Sequence, residues 1–105
     1  MFGNMKVNFN QVFRNYRGDV LKINNVPQSM KMVVAQSLFN GEGVKPTNDP
    51  LKDGEKKVRS YSLCRRIMES DNEITISAED AVLIKEVITH LTPGCYSQIV
   101  ELIDG

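Results

Sequence analysis

A chain of 105 residues, 41% hydrophobic and 25% charged, has the composition of one folded globular domain and not that of a disordered tail. No apolar run approaches the roughly 18 residues of a membrane span, and Met1 to Lys6 lack the apolar core of a signal peptide. The cytoplasm is therefore the expected compartment, with no membrane partner.

Formal net charge is zero, yet the charges are unevenly placed. Met1 to Arg66 hold twelve of the thirteen basic residues against five acids, whereas Ile67 to Gly105 hold Lys85 alone against eight acids. Two such halves either neutralise each other in the fold or leave a bipolar surface. A bipolar surface steers a charged partner or favours association between copies, so a homo-oligomer stays open.

In chain order, Met5 to Ile23 predicts two short strands joined through Gly18, a small N-terminal β-hairpin within residues 1–24. A loose arm docked through its aromatics is the alternative. Asn25-Val26-Pro27 opens a first helix at about 28–40, with Met30, Val33, Val34, Leu38 and Phe39 as its apolar stripe and Asn40-Gly41 as its stop. A long loop follows over 41–52, punctuated by Gly41, Gly43, Pro46 and Pro50; it reads by default as a mobile connection, with a functional loop and candidate interaction surface as the alternative.

Asp53 is the expected cap of a second helix at about 54–69. Val58, Tyr61, Cys64 and Met68 share its apolar face, widened by Leu63 and Ile67, and Lys56, Lys57, Arg59, Arg65 and Arg66 fill much of the rest. Glu73 to Ile76 is a short extended piece. Ser77 with Asp80 has the form of a capping box ahead of a third helix at about 78–91. Ala81, Val82, Leu83, Ile84, Val87, Ile88 and Leu91 cover far more than a stripe, which puts this helix at the centre of the core. Thr92-Pro93-Gly94 restarts the chain as a fourth helix at about 94–103, with Cys95, Ile99, Leu102 and Ile103 inward. The expected fold class is α+β, mainly α, in a single domain.

No catalytic constellation is legible. Asn40-Gly41-Glu42-Gly43 leads into Val44-Lys45-Pro46 and not into a helix, so it is no phosphate loop. Cys64 and Cys95 read as reduced, buried small hydrophobes, with a disulfide as the lesser alternative. Zinc would need further ligands, and His90 is the single histidine, so neither a metal site nor a cofactor is expected. Arg65 and Arg66 beside Cys64 argue for a lowered thiol pKa; its apolar register argues for burial.

Nucleic-acid binding is tested by charge. The third and fourth helices have the outline of a helix-turn-helix, but the element that would enter the major groove carries Glu101 and Asp104 and no base. A helix facing phosphates at one charge per about 1.7 Å does not have that composition. What remains for nucleic acid is the basic second helix, with Arg14, Arg17 and Lys22 as phosphate groups and Phe9, Phe13 and Tyr16 as stacking groups.

Three segments carry a resemblance: Gly54-Glu55-Lys56-Lys57-Val58-Arg59, Leu63-Cys64-Arg65-Arg66-Ile67, and Ile76 to Lys85, with the ending Val100-Glu101-Leu102-Ile103. From Asp53 onward, over about half its length, the chain resembles a group of small proteins encoded by tailed bacteriophages and prophages. The resemblance rests on capping and core signals and implies context: a viral or prophage accessory protein in a bacterial cytoplasm, in particle assembly or on a host protein. The leading expectation is a non-enzymatic module that binds a viral or host protein through Lys56, Lys57, Arg59, Arg65, Arg66, Phe13, Tyr16 and Arg17. A small nucleic-acid-binding regulator using the same basic face is the alternative.

Overall fold

The computed structural model describes residues 4–105; residues 1–3, the start of the expected hairpin and of the segment without a signal core, lie outside the described residues. Its elements are β1 (Met5–Asn8), β2 (Lys22–Ile23), β3 (Val26–Pro27), α1 (Met30–Asn40), α2 (Pro50–Glu69), β4 (Glu73–Ile76), α3 (Ala78–Val87) and α4 (Pro93–Asp104). The class is α+β and mainly α, as the sequence predicts.

The strand pairing differs from the expected hairpin. β1 pairs antiparallel with β4, Met5 opposite Ile76 and Val7 opposite Ile74. Side chains alternate along a strand, so this register turns Val7 and Ile76 together into the core. Gly18 does turn the chain at φ +88°, but only a single bridge, Arg14 to Val20, flanks it. The local hairpin is β2–β3, turned by Asn24 and Asn25 at φ of 53° and 66°. Two consecutive left-handed residues match the turn type that suits a twisted hairpin, and asparagine tolerates that conformation.

Helix boundaries shift where a better cap competes. Pro27 belongs to β3, and Ser29 caps α1 by accepting from the Met32 amide at 3.3 Å. Asp49, not Asp53, caps α2: its carboxylate accepts from the Leu51 and Lys52 amides, and Pro50 takes the first helical position. The expected loop is shortened accordingly. In α3 the Ser77 hydroxyl accepts from the Asp80 amide and the Asp80 carboxylate from the Ser77 amide, both at 3.0 Å, which is the capping box expected there. α3 ends at Val87 rather than Leu91, because the chain tightens into turns through Ile88 and Thr89.

One core gathers these elements. Leu83, Ile84, Val87 and Ile88 are all buried, together with Phe9, Phe13, Val34, Leu38, Leu63, Ile67, Ile99 and Ile103. α1 and α2 form an antiparallel pair, locked near its closed end by Ser60 Oγ donating to the Leu38 carbonyl at 2.6 Å. At its far end Lys31 Nζ donates to the Ser70 carbonyl at 2.6 Å. α3 packs on α1, and the β1–β4 ribbon meets α4 through β1 and α3 through β4. Gln98 of α4 ties the N-terminal segment down: its side-chain amide accepts from the Arg14 amide and donates to the Arg14 carbonyl, each at 2.8 Å. One side chain thus supplies the pair of bonds that a neighbouring strand would make.

Candidate functional site

The sequence placed a basic face on α2, and the fold spends most of it internally. Lys56 pairs with Glu86 at 2.8 Å, Arg59 with Glu79 at 3.4 Å and Arg66 with Asp80 at 3.5 Å. Arg65 pairs within its own helix with Glu69 at 3.1 Å. Hydrogen bonding and charge from Glu69, helped by Tyr61, push the Arg65 pKa up further. Solvent screening leaves such exposed pairs little weight in stability. Their larger consequence is electrostatic, because the acidic α3 neutralises the flank of α2 that lies against it.

The aromatic candidates separate. Phe13 is 1% exposed and is a core side chain, not a contact residue. An extended segment pinned on one side by Gln98 and bonded on the other to Leu21 and Gln28 turns its ring inward. Tyr16 is 93% exposed at the Asn15–Gly18 turn, with the Arg17 guanidinium 5.8 Å from its ring centre. With Phe13 in the core, the eight expected contact residues are not all at the surface.

The apolar face of α2 is also rotated from expectation. Ser60, Leu63, Cys64 and Ile67 point into the core, while Val58, Tyr61 and Met68 face out. On α1, Phe39 leaves the expected stripe and is 65% exposed, its ring 6.1 Å from that of Tyr61. Helix packing selected the narrower arc that faces α1 and the core, and left Val58, Tyr61 and Met68 outside.

Of these exposed residues Phe39 lines a cleft of about 410 Å³ where the end of α1, the 41–49 connection and the first half of α2 meet. Leu38, Phe39, Val44, Pro46 and Leu83 give it an apolar lining, and Lys45, Lys56 and Lys57 stand at its edge. Among the described residues, Lys45 and Lys57 have no carboxylate partner. Asp53 also lines the cleft, but its carboxylate accepts from the Thr47 amide at 3.0 Å and the Thr47 hydroxyl at 2.7 Å. The acid is used to hold the connection and the lysines are not. Size, lining and a few convergent polar groups match a binding cleft.

Geometry fixes the cleft wall. Gly43 sits at φ +72°, and a Cβ there would lie 2.7 Å from the Glu86 carbonyl oxygen and 2.6 Å from Thr89 Oγ1. The connection therefore lies directly on the end of α3, with Val44 packed against the core. The default reading of a mobile loop missed these anchors. Its signal was Val44, a lone apolar residue inside a polar, glycine-rich stretch; Lys45 was missed with it.

Reactive groups are otherwise engaged. Burial pushes the Cys64 thiol pKa up, opposite to the effect expected from Arg65 and Arg66 beside it. His90 Nε2 lies 3.0 Å from the buried Ser37 Oγ and 3.9 Å from Glu42 Oε2. Among the described residues no group of three acid, cysteine or histidine side chains is placed to hold a metal ion, and no helix is long and apolar enough to cross a membrane. Compared with protein families, curated proteins and solved structures, the chain has no match.

Proposed function

We propose that this chain is a small non-enzymatic protein-binding module whose cleft takes an apolar anchor side chain from an acidic segment of its partner. The single observation that carries this reading is an apolar cleft edged by Lys45 and Lys57, two cations without acids of their own. An anchor in the pocket supplies desolvation, and rim charges supply orientation and encounter rate. With the phage resemblance of the second half, the proposed setting is an accessory protein docking on a viral or host protein in a bacterial cytoplasm.

The alternative, a nucleic-acid regulator, needs free cations on α2. Lys56, Arg59 and Arg66 are held by Glu86, Glu79 and Asp80, so the geometry favours a protein partner. The test is capture of partners from nuclease-treated cells, followed by affinity measurement for the wild type and for a Lys45→Glu, Lys57→Glu double variant. The expected result is retained capture after nuclease and an affinity loss of about tenfold or more in the variant, equivalent to about 1.4 kcal/mol. Binding that the double variant leaves unchanged, or that nuclease abolishes, contradicts the reading.

A further inference from the structure

The outward side of α2 carries a second pattern that the cleft does not use. Leu51, Gly54, Val58, Tyr61, Arg65 and Met68 follow one another at alternating spacings of three and four along the 20-residue helix. That is the a/d repeat of a helix–helix seam. Leu51 is 81% and Val58 69% exposed, and Tyr61 and Met68 are also exposed. A regular seam with large apolar side chains in water describes half an interface.

We infer that a second copy of this chain occupies it, with the two α2 helices packed antiparallel about a two-fold axis passing between Arg59 and Ser60. Parallel in-register pairing would set Arg65 against Arg65; the antiparallel arrangement avoids that and still matches the whole pattern. Leu51 then meets Met68 of the other copy, Val58 meets its Tyr61, and Arg65 meets its Gly54, and the same three pairings recur on the other side of the axis. All six seam positions are matched in one register. The odd members fit as well: nothing lies within 4 Å of where a Gly54 Cβ would stand, so the bare backbone there leaves room for the long Arg65 side chain. Beside Gly54 is Glu55, which has no basic partner among the described residues and meets Arg65 of the other copy. Isologous pairing of one patch with itself is the usual way small proteins dimerise. The inference goes beyond the docking proposal: no seam residue lines the cleft, although Tyr61 touches Phe39 at its edge.

Sedimentation equilibrium of the full chain over rising protein concentration tests it. The expected result is an apparent mass rising toward twice 11.8 kDa, and a return to monomer on Val58→Glu, with circular dichroism showing that the variant still folds. Charge exchange reads the register: Arg65→Glu alone weakens dimerisation at least severalfold by setting a carboxylate against Glu55 of the other copy, and Arg65→Glu with Glu55→Arg restores it. A monomer at every concentration overturns the inference, as does a dimer indifferent to Val58→Glu. Failure of the double exchange to restore what the single one removes overturns the antiparallel register.

Discussion

Gly43 shows how one residue sets the cleft. Its positive φ and its approach to the Glu86 carbonyl leave no place for a side chain, so Gly43→Ala adds both backbone strain and a clash. The expected loss exceeds about 1 kcal/mol in thermal or denaturant unfolding, and ligand binding at the cleft weakens with it because Val44 and Lys45 follow directly. An alanine variant as stable as the wild type would show that the connection does not rest on α3. Cys64 makes the second residue-scale case. Its thiol, buried in the α2 core face, is held protonated above the ordinary value of 9.0, so folding favours the neutral form. The stability this gives is fully present below the unfolded thiol pKa and is lost as pH rises through the higher folded one, an alkaline effect with no acid counterpart. Alkylation of the native protein is expected at the half-buried Cys95 first, with Cys64 reacting only on unfolding; preferential labelling of Cys64 would refute its burial.

At the scale of elements, what the sequence showed and what it hid have the same cause. The Ser77–Asp80 capping box, the Thr92-Pro93 start of α4 and the burial of Leu83, Ile84, Val87 and Ile88 were legible because each depends on residues within a turn or two. The partner of β1 was not legible, since β4 lies more than sixty residues away and its pairing is decided by where Val7 and Ile76 meet the core. The α2 face was half legible: hydrophobic periodicity offers a broad arc, and only packing against α1 and the core selects Leu63, Cys64 and Ile67 over Val58, Tyr61 and Met68. For the site, Lys56 and Lys57 were found from their types, but Lys45 and Phe39 were not, because loop closure brings them to α2. Gln98 belongs to this group of long-range devices. Its two bonds to the Arg14 backbone replace a missing strand, and Gln98→Ala is expected to cost about 1–3 kcal/mol by leaving those groups unpaired. Amide exchange at Arg14 should rise more than at Val7 of the β1–β4 ribbon; equal protection in the variant would show that the clamp is dispensable.

For the whole molecule, the uneven charge of the chain resolves in part into internal neutralisation, with Lys56, Arg59 and Arg66 of basic α2 against Glu86, Glu79 and Asp80 of acidic α3. What escapes neutralisation has direction. Lys45 and Lys57 mark the cleft, and the outer seam of α2 is left for another helix. If both proposals hold, the dimer presents two clefts, and a partner with repeated acidic segments binds it more tightly than either cleft alone allows. Everything functional in this account depends on the cleft accepting an acid-flanked apolar side chain. The most direct measurement is an amide chemical-shift titration of the isotope-labelled protein with a synthetic peptide of one leucine flanked by glutamates. The account predicts saturable shifts confined to Phe39, Val44, Lys45, Lys57 and their neighbours, weakened by salt and lost in the Lys45→Glu, Lys57→Glu variant. Shifts centred on α4 or the Tyr16 turn, or none at saturating peptide, would contradict it.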